Sequence, residues 1–235
     1  MAVGVTSAPL DLGVSRGSDH TYSSENKSSV SVSVKEIASG HQATNGKNEN
    51  LLIVSPYEEE PHQLDLRTLD TANQILAQAL TGLKCLRDDY ATAPYVEIFN
   101  WAEVIESIRQ QATTSDFDWK ENFFYIVVFR SQIPPTTVYA DLGALDKAAH
   151  AEATKSGGFL KYWFGSPDDS GRNLATCVWR NLHDARIGSV GEAHRKAAGA
   201  ARQLYTEWKI ERLRLLIKGD AKEWEITQWV DSRDN

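Results

Sequence analysis

The sequence predicts an α+β protein, a ferredoxin-like split β-α-β antiparallel sheet with helices on one face and an N-terminal helical extension. The run Phe123 to Arg130 (FFYIVVFR) is continuously β-branched and aromatic, as in a strand buried on both faces. Two helical patterns follow it, each leading into another strand-like run. Pro, Asp and Gly clusters separate the runs, so the order reads β-α-β-β-α-β with one hairpin strand added.

Residues 1–50 are rich in Ser, Thr, Asn and Gly and hold too little apolar surface to offset the entropy of ordering, so they read as a disordered tail. Residues 51–115 read as a helical extension packed on the core. There a short apolar run (Leu51 to Val54) and an acidic loop bounded by Pro56 and Pro61 precede a helix from about Leu66 to Leu86. Its buried stripe is Leu69, Ala72, Leu76, Ala79, Leu80 and Leu83. A second helix starts near Asn100 as its cap and carries Trp101, Val104, Ile105 and Ile108 on one side.

Residues 116–235 form the expected ferredoxin-like domain. After the first strand, a helix from about Tyr139 to Lys155 aligns Leu142, Leu145 and Ala149 and stops at Gly157-Gly158. Phe159 to Phe164 and Leu174 to Arg180 flank the turn GSPDDSG, which makes a hairpin. One long helix is expected from about Ala185 to Tyr205, then strands near Glu211 to Ile217 and Glu223 to Val230 around Gly219-Asp220. Helices on one face leave the other face to be covered, and its candidates include an alternate set of Tyr125, Phe129, Tyr162, Trp163 and Trp179. Three covers are open: the helices of residues 66–112, a second copy in a two-sheet barrel, or an apolar ligand.

Composition removes whole classes of partner. Lys+Arg 25 against Asp+Glu 32 gives a net charge of −7 over 235 residues, so neither nucleic acid nor an anionic membrane is an expected partner. Cys85 and Cys177 are too few for a disulfide framework or a four-ligand zinc site and suit a reducing compartment, the cytoplasm first and the nucleus second. No apolar run is long enough to span a bilayer, and the N-terminus lacks a secretion signal. Walker, GxGxxG, GxSxG and HExxH patterns are missing, and no cofactor is expected.

The last long helix concentrates the candidate chemistry. Ile187, Val190, His194, Ala197, Ala201, Leu204 and Trp208 fall at steps of three or four, which sets His194 on an apolar stripe aimed at the sheet. Such an imidazole is either a core histidine bonded to backbone or a neutral base and orienting group. Arg180, His183 and Arg186 surround the start of that helix, with Asp184 as its expected cap. They suit an oxyanion at a pocket mouth, or they pair with Asp168, Asp169 or Asp184 on a solvated loop. His62 reads as a loop residue and His150 as lying on the polar side of its helix, and no metal spacing links the histidines.

The stretch Phe123 to Ile217, with TCVWRNLHDARIGSVGEAHRKAA at its centre, resembles an uncharacterised conserved family of fungal proteins, and the resemblance runs back over LDLRTLDTANQILAQALTGLK and PYVEIFNWAEV. A strand ending in Trp179 and followed by a helix with an inward His194 is also similar to the dimeric α/β-barrel monooxygenases that act without metal or flavin on polycyclic aromatic substrates. That resemblance implies roles for Asn122, Trp179 and His194 at the positions of the family's Asn, Trp and His. The expected function is a small-molecule-binding protein or cofactor-independent enzyme on an aromatic or polyketide-like metabolite in an apolar pocket. In it His194 is the base, Tyr125, Tyr162, Trp163 and Trp179 shape the pocket, and Arg180, His183 or Arg186 hold an oxyanion. Two rivals remain: an interaction scaffold using the sheet face, as monomer or homodimer, and an acetyl-coenzyme A acyltransferase suggested by Lys196 to Ala201.

Overall fold

The computed structural model describes residues 49–230, so the expected tail lies outside the described residues except for its last two. The backbone hydrogen bonds of the sheet are organised around its longest apolar strand, β3 (Asn122–Gln132), which pairs antiparallel with both β5 (Arg172–Trp179) and β6 (Glu207–Ile217). Adding β4 (Phe159–Phe164) and β7 (Trp224–Gln228) gives the order β4-β5-β3-β6-β7, every neighbouring pair antiparallel. Helix α4 (Tyr139–Ser156) connects β3 to β4, while α5 (Leu182–Gly188) and α6 (Glu192–Leu204) connect β5 to β6. This is the ferredoxin-like split βαβ arrangement with β7 added by a hairpin.

Before the sheet come β1 (Leu51–Ile53) and β2 (Gln63–Asp65), a small hairpin, followed by α1 (Thr71–Leu80), α2 (Tyr95–Ile98) and α3 (Trp101–Thr114). The Tyr162 N–H donates to Val54 O at 2.9 Å, which ties this segment to β4. The face away from α4 to α6 is taken by the first of the three covers, but of the set expected on it only Trp163 lies there, since Tyr125, Phe129, Tyr162 and Trp179 turn toward α4 to α6. Phe124, Ile126, Val128, Leu215 and Ile217, all 0% exposed, share one core with Leu76, Leu80, Trp101, Ile105 and Ile108 of α1 and α3. Burying each such side chain is worth about 1.5–3 kcal/mol. A buried bond between Tyr95 Oη and Thr176 Oγ1, 2.9 Å, and Arg130 donating to the carbonyls of Ala91 (2.7 Å) and Ala93 (2.8 Å) fasten the layer to the sheet.

Four local expectations are corrected. The helix expected from Leu66 begins only at Thr71, because the Asp70 carboxylate accepts from Asn73 N at 3.0 Å and starts it there. Asn100 stands at the start of α3 but spends its amide elsewhere, accepting from Lys84 N at 2.7 Å and donating to Gly82 O at 3.1 Å. The long helix is two helices, broken at Ser189, Val190 and Gly191. This break puts Ile187 and Val190 in solvent, 49% and 63% exposed, instead of on the inward stripe. The cap of α5 is Asn181, whose Oδ1 accepts from Asp184 N at 2.9 Å, while Asp184 itself takes Arg180 Nε at 2.6 Å.

No described helix is long and apolar enough to cross a membrane.

Candidate functional site

The opposite face of the sheet is not filled. Tyr125, Val127 and Phe129 of β3 and Ala175, Cys177 and Trp179 of β5 look toward α4, α5 and α6 across a cavity of about 1310 Å³. The hollow follows from side-chain size: α6 presents Ala197, Ala198 and Ala201 to it, and α4 presents Gly143, Ala149 and Ala153. Small residues at those positions leave a gap that the aromatic sheet side chains do not close.

His194 stands on this wall, 24% exposed at its side chain, at the start of α6. Its Nδ1 lies 2.8 Å from Glu152 Oε2 on α4. The same carboxylate accepts from His194 N at 3.0 Å and Ala193 N at 3.3 Å, so it also satisfies the exposed N–H groups of α6. Its His194 partner and these N–H groups hold the Glu152 carboxyl below the usual range. An ionised carboxylate only accepts, so Nδ1 of His194 donates to it, and Nε2 is the ring nitrogen that Glu152 does not engage. Gly191 makes the approach possible, because a Cβ there would collide with the Glu152 carboxylate.

A second polar group lies on α4 and on the segment before α1. The Asp146 carboxylate accepts from Tyr57 Oη at 2.6 Å through Oδ2 and from Tyr162 Oη at 2.6 Å through Oδ1. Burial pushes the Asp146 carboxyl up against the two tyrosine bonds, which pull it down. Burial also pushes both tyrosine hydroxyls far above their ordinary range, and the Asp146 charge adds to this. Beside them His150, 4% exposed, shares a 2.9 Å contact between Nδ1 atoms with His62, also 4% exposed. The His150 ring lies 5.1 Å from Phe159 and 5.3 Å from Tyr162, and burial drops its pKa to about 3. It is therefore neutral at pH 7. Among the described residues no three His, Cys, Asp or Glu side chains converge as metal ligands.

Of the residues singled out from sequence, His194, Trp179, Tyr162, Tyr125 and Arg186 line the cavity, with Arg186 at its exposed rim. The other four do not. Trp163 packs on the opposite side of the sheet, 5.0 Å from Phe99 and 5.3 Å from Tyr90, because it follows Tyr162 directly in regularly alternating strand; the β-bulge between Phe159 and Lys161 is what lets Phe159 share the cavity side with Tyr162. Asn122 falls in the alternation of Phe124 and Ile126, away from the cavity, and its Oδ1 accepts from Phe123 N at 2.9 Å. Arg180 is engaged with Asp184, and His183 is exposed on α5. Trp179 has an indole N–H that is already committed to Cys177 Sγ at 3.1 Å.

Sequence reasoning passed over Tyr57, His62, Asp146 and His150. His150 is corrected from a polar outer position to a buried one, and His62 from a loop residue to its buried partner. A signal was present: Leu142, Asp146, Ala149, His150 and Ala153 form one stripe at steps of three and four, and its two polar members lie on the inner side. The acyltransferase reading loses its motif, since Lys196 to Ala201 lie inside α6 and do not open it.

Fold and cavity together define a ferredoxin-like α+β protein with a hollow, open to solvent on one side, between its helices and one face of its sheet. The chain belongs to the PB2B2.08-like family, whose model matches residues 53–228 and so takes in α1 to α3 as well as the cavity. It is 40% identical over 170 residues to UPF0643 protein PB2B2.08 of Schizosaccharomyces pombe, covering 69% of this chain and 77% of that relative. Among solved structures it is similar to SnoaB, a cofactor-independent oxygenase from Streptomyces nogalater, with 15% identity, a TM-score of 0.32, and 39% of this chain and 90% of that one covered. Rv0793 from Mycobacterium tuberculosis matches with 14% identity and a TM-score of 0.34, over 47% of this chain and 98% of that one.

Proposed function

We propose that the protein takes an aromatic or polyketide-like small molecule into the cavity and acts on it as a cofactor-independent enzyme, with His194 as the base. One observation carries this reading: a hollow of about 1310 Å³ whose wall is mostly aromatic and aliphatic, with an oriented imidazole on it. Flat rings suit Tyr125, Phe129, Phe159 and Trp179 through offset and edge contacts. His194 Nε2 takes the proton of an acidic ligand hydroxyl: the O–H bond breaks, an N–H bond forms, and the electron pair stays on oxygen. The imidazolium so formed faces the Glu152 carboxylate 2.8 Å away, which stabilises it. The sheet face used by the scaffold reading is covered by α1 to α3.

Native mass spectrometry of the full chain, purified from its natural source, is expected to show a retained aromatic molecule, and Ala201→Trp is expected to expel it. Turnover of that molecule should fall by about 10²–10⁴ in His194→Ala, while the urea midpoint corresponds to a change under about 1 kcal/mol. A protein that carries nothing and binds no aromatic probe overturns the reading, as does a His194→Ala variant that loses stability and keeps its activity.

A further inference from the structure

The structure assigns to Asp146, Tyr57 and Tyr162 an amine-binding subsite: within the proposed cavity, on whose ligand-binding role this inference rests, they receive a protonated amine carried by the ligand's apolar body. Hydrogen-bond direction is the first reason. Each carboxylate oxygen of Asp146 takes a tyrosine hydroxyl at 2.6 Å, so both hydroxyl protons are used on Asp146. What these three groups still offer is lone pairs, on the carboxylate and on the two phenol oxygens. A ligand carbonyl or carboxylate placed there meets no donor from this trio, whereas an ammonium brings three.

Charge is the second reason. Asp146 is pushed up by burial, and buried carboxylates are ordinarily paired. Two basic side chains that could serve it are engaged elsewhere. Lys147 pairs with Glu59 and stands 5.6 Å from the Tyr57 ring centroid, and His194 pairs with Glu152, acting on Asp146 only through space. Tyr205 lines the same cavity and feels the Asp146 charge, which adds to burial in pushing its hydroxyl up to about 12. Arg186 and Arg212 line only the exposed rim.

Ring geometry is the third. Tyr57 and Tyr162, whose hydroxyls hold the carboxylate, lie 6.0 and 5.6 Å from Phe164 between centroids, so three aromatic rings gather at this end of the cavity, and aromatic faces suit a cation. The subsite also bears on the proposed proton transfer. An ammonium on Asp146 removes a negative charge that would oppose formation of an oxyanion near His194.

The test compares three probes of one skeleton on the full chain by calorimetry: 2-(naphthyl)ethylamine, the corresponding alcohol and the corresponding carboxylate. The amine should bind at least about tenfold more tightly than the alcohol, with the carboxylate weakest. Asp146→Asn should remove the preference for the amine and leave alcohol binding within about threefold. Should that variant not fold by circular dichroism, Tyr57→Phe and Tyr162→Phe are each expected to shrink the preference. Equal binding of amine and alcohol to the unmodified protein overturns the subsite and leaves the cavity reading standing, as does a preference that survives Asp146→Asn. Failure of all three probes to bind removes the cavity reading and the subsite together.

Discussion

The two faces of the central sheet use the same strands and end in opposite states. Toward α1 and α3, alternate residues of β3 (Phe124, Ile126, Val128) are wholly buried among aliphatic and aromatic side chains. Toward α4 and α6, the intervening residues Tyr125, Val127 and Phe129 border a hollow. The difference lies in the helices. α1 and α3 bring Leu76, Leu80, Trp101, Ile105 and Ile108, large enough to meet the sheet, whereas α6 brings three alanines and His194, with a large apolar side chain, Leu204, only at its last residue. A face filled by large side chains gains stability from packing; a face opposed by alanines keeps room, and the polar groups beside that room hold one another.

Substitution at neighbouring positions of β3 should separate the two faces most clearly. Ile126→Ala removes a fully buried side chain from the filled face and is expected to cost about 2–5 kcal/mol in urea unfolding. Val127→Ala, one residue along and at the edge of the hollow, should cost under about 1 kcal/mol. Equal costs would mean that the hollow is not there in solution.

Next in size is the acid response of the cavity side. His150 has a folded pKa of about 3, below the value near 6.5 that it has when unfolded. Between these values the unfolded chain binds the proton and the folded one does not, so stability falls as pH falls. This predicts a loss of about 2 kcal/mol from pH ~6.5 to pH ~5, and His150→Leu should flatten that slope. Asp146 acts in the opposite sense: its raised folded pKa means that stability is fully present below the unfolded pKa and is lost as pH rises through the folded value. Urea midpoints across this range in the two proteins measure the His150 share.

The smallest stability effect is expected in β4, where adjacent residues look to opposite sides. Tyr162→Phe should weaken binding of a cavity ligand and change stability by about 1 kcal/mol, the size of one hydrogen bond. Trp163→Phe should leave that binding unchanged, because its ring packs edge-to-face with Phe99 and Tyr90 beyond the sheet. An altered ligand affinity in Trp163→Phe would contradict the strand phase.

Strand and helix order, the ferredoxin-like arrangement and the inward position of His194 were all readable from local patterns: β-branched runs, a step of three or four, and Gly or Pro punctuation. The break at Ser189 to Gly191 was not readable, because the apolar step continues across it through Ile187 and Val190. Trp163 was misplaced because it was grouped with its neighbour Tyr162, although adjacent strand residues face opposite sides; the bulge before them hides only that Phe159 shares the side of Tyr162. The partners of the site escaped for another reason. Glu152 and His194 are 42 residues apart, Tyr57 and Asp146 are 89 apart, and His62 and His150 are 88 apart. Periodicity acts within about two turns of chain, so it orients a side chain but carries no information on what will stand opposite it. Which carboxylate meets which hydroxyl, and whether alanines leave a gap, depends on the distance between packed layers, and that distance exists only once the chain has folded.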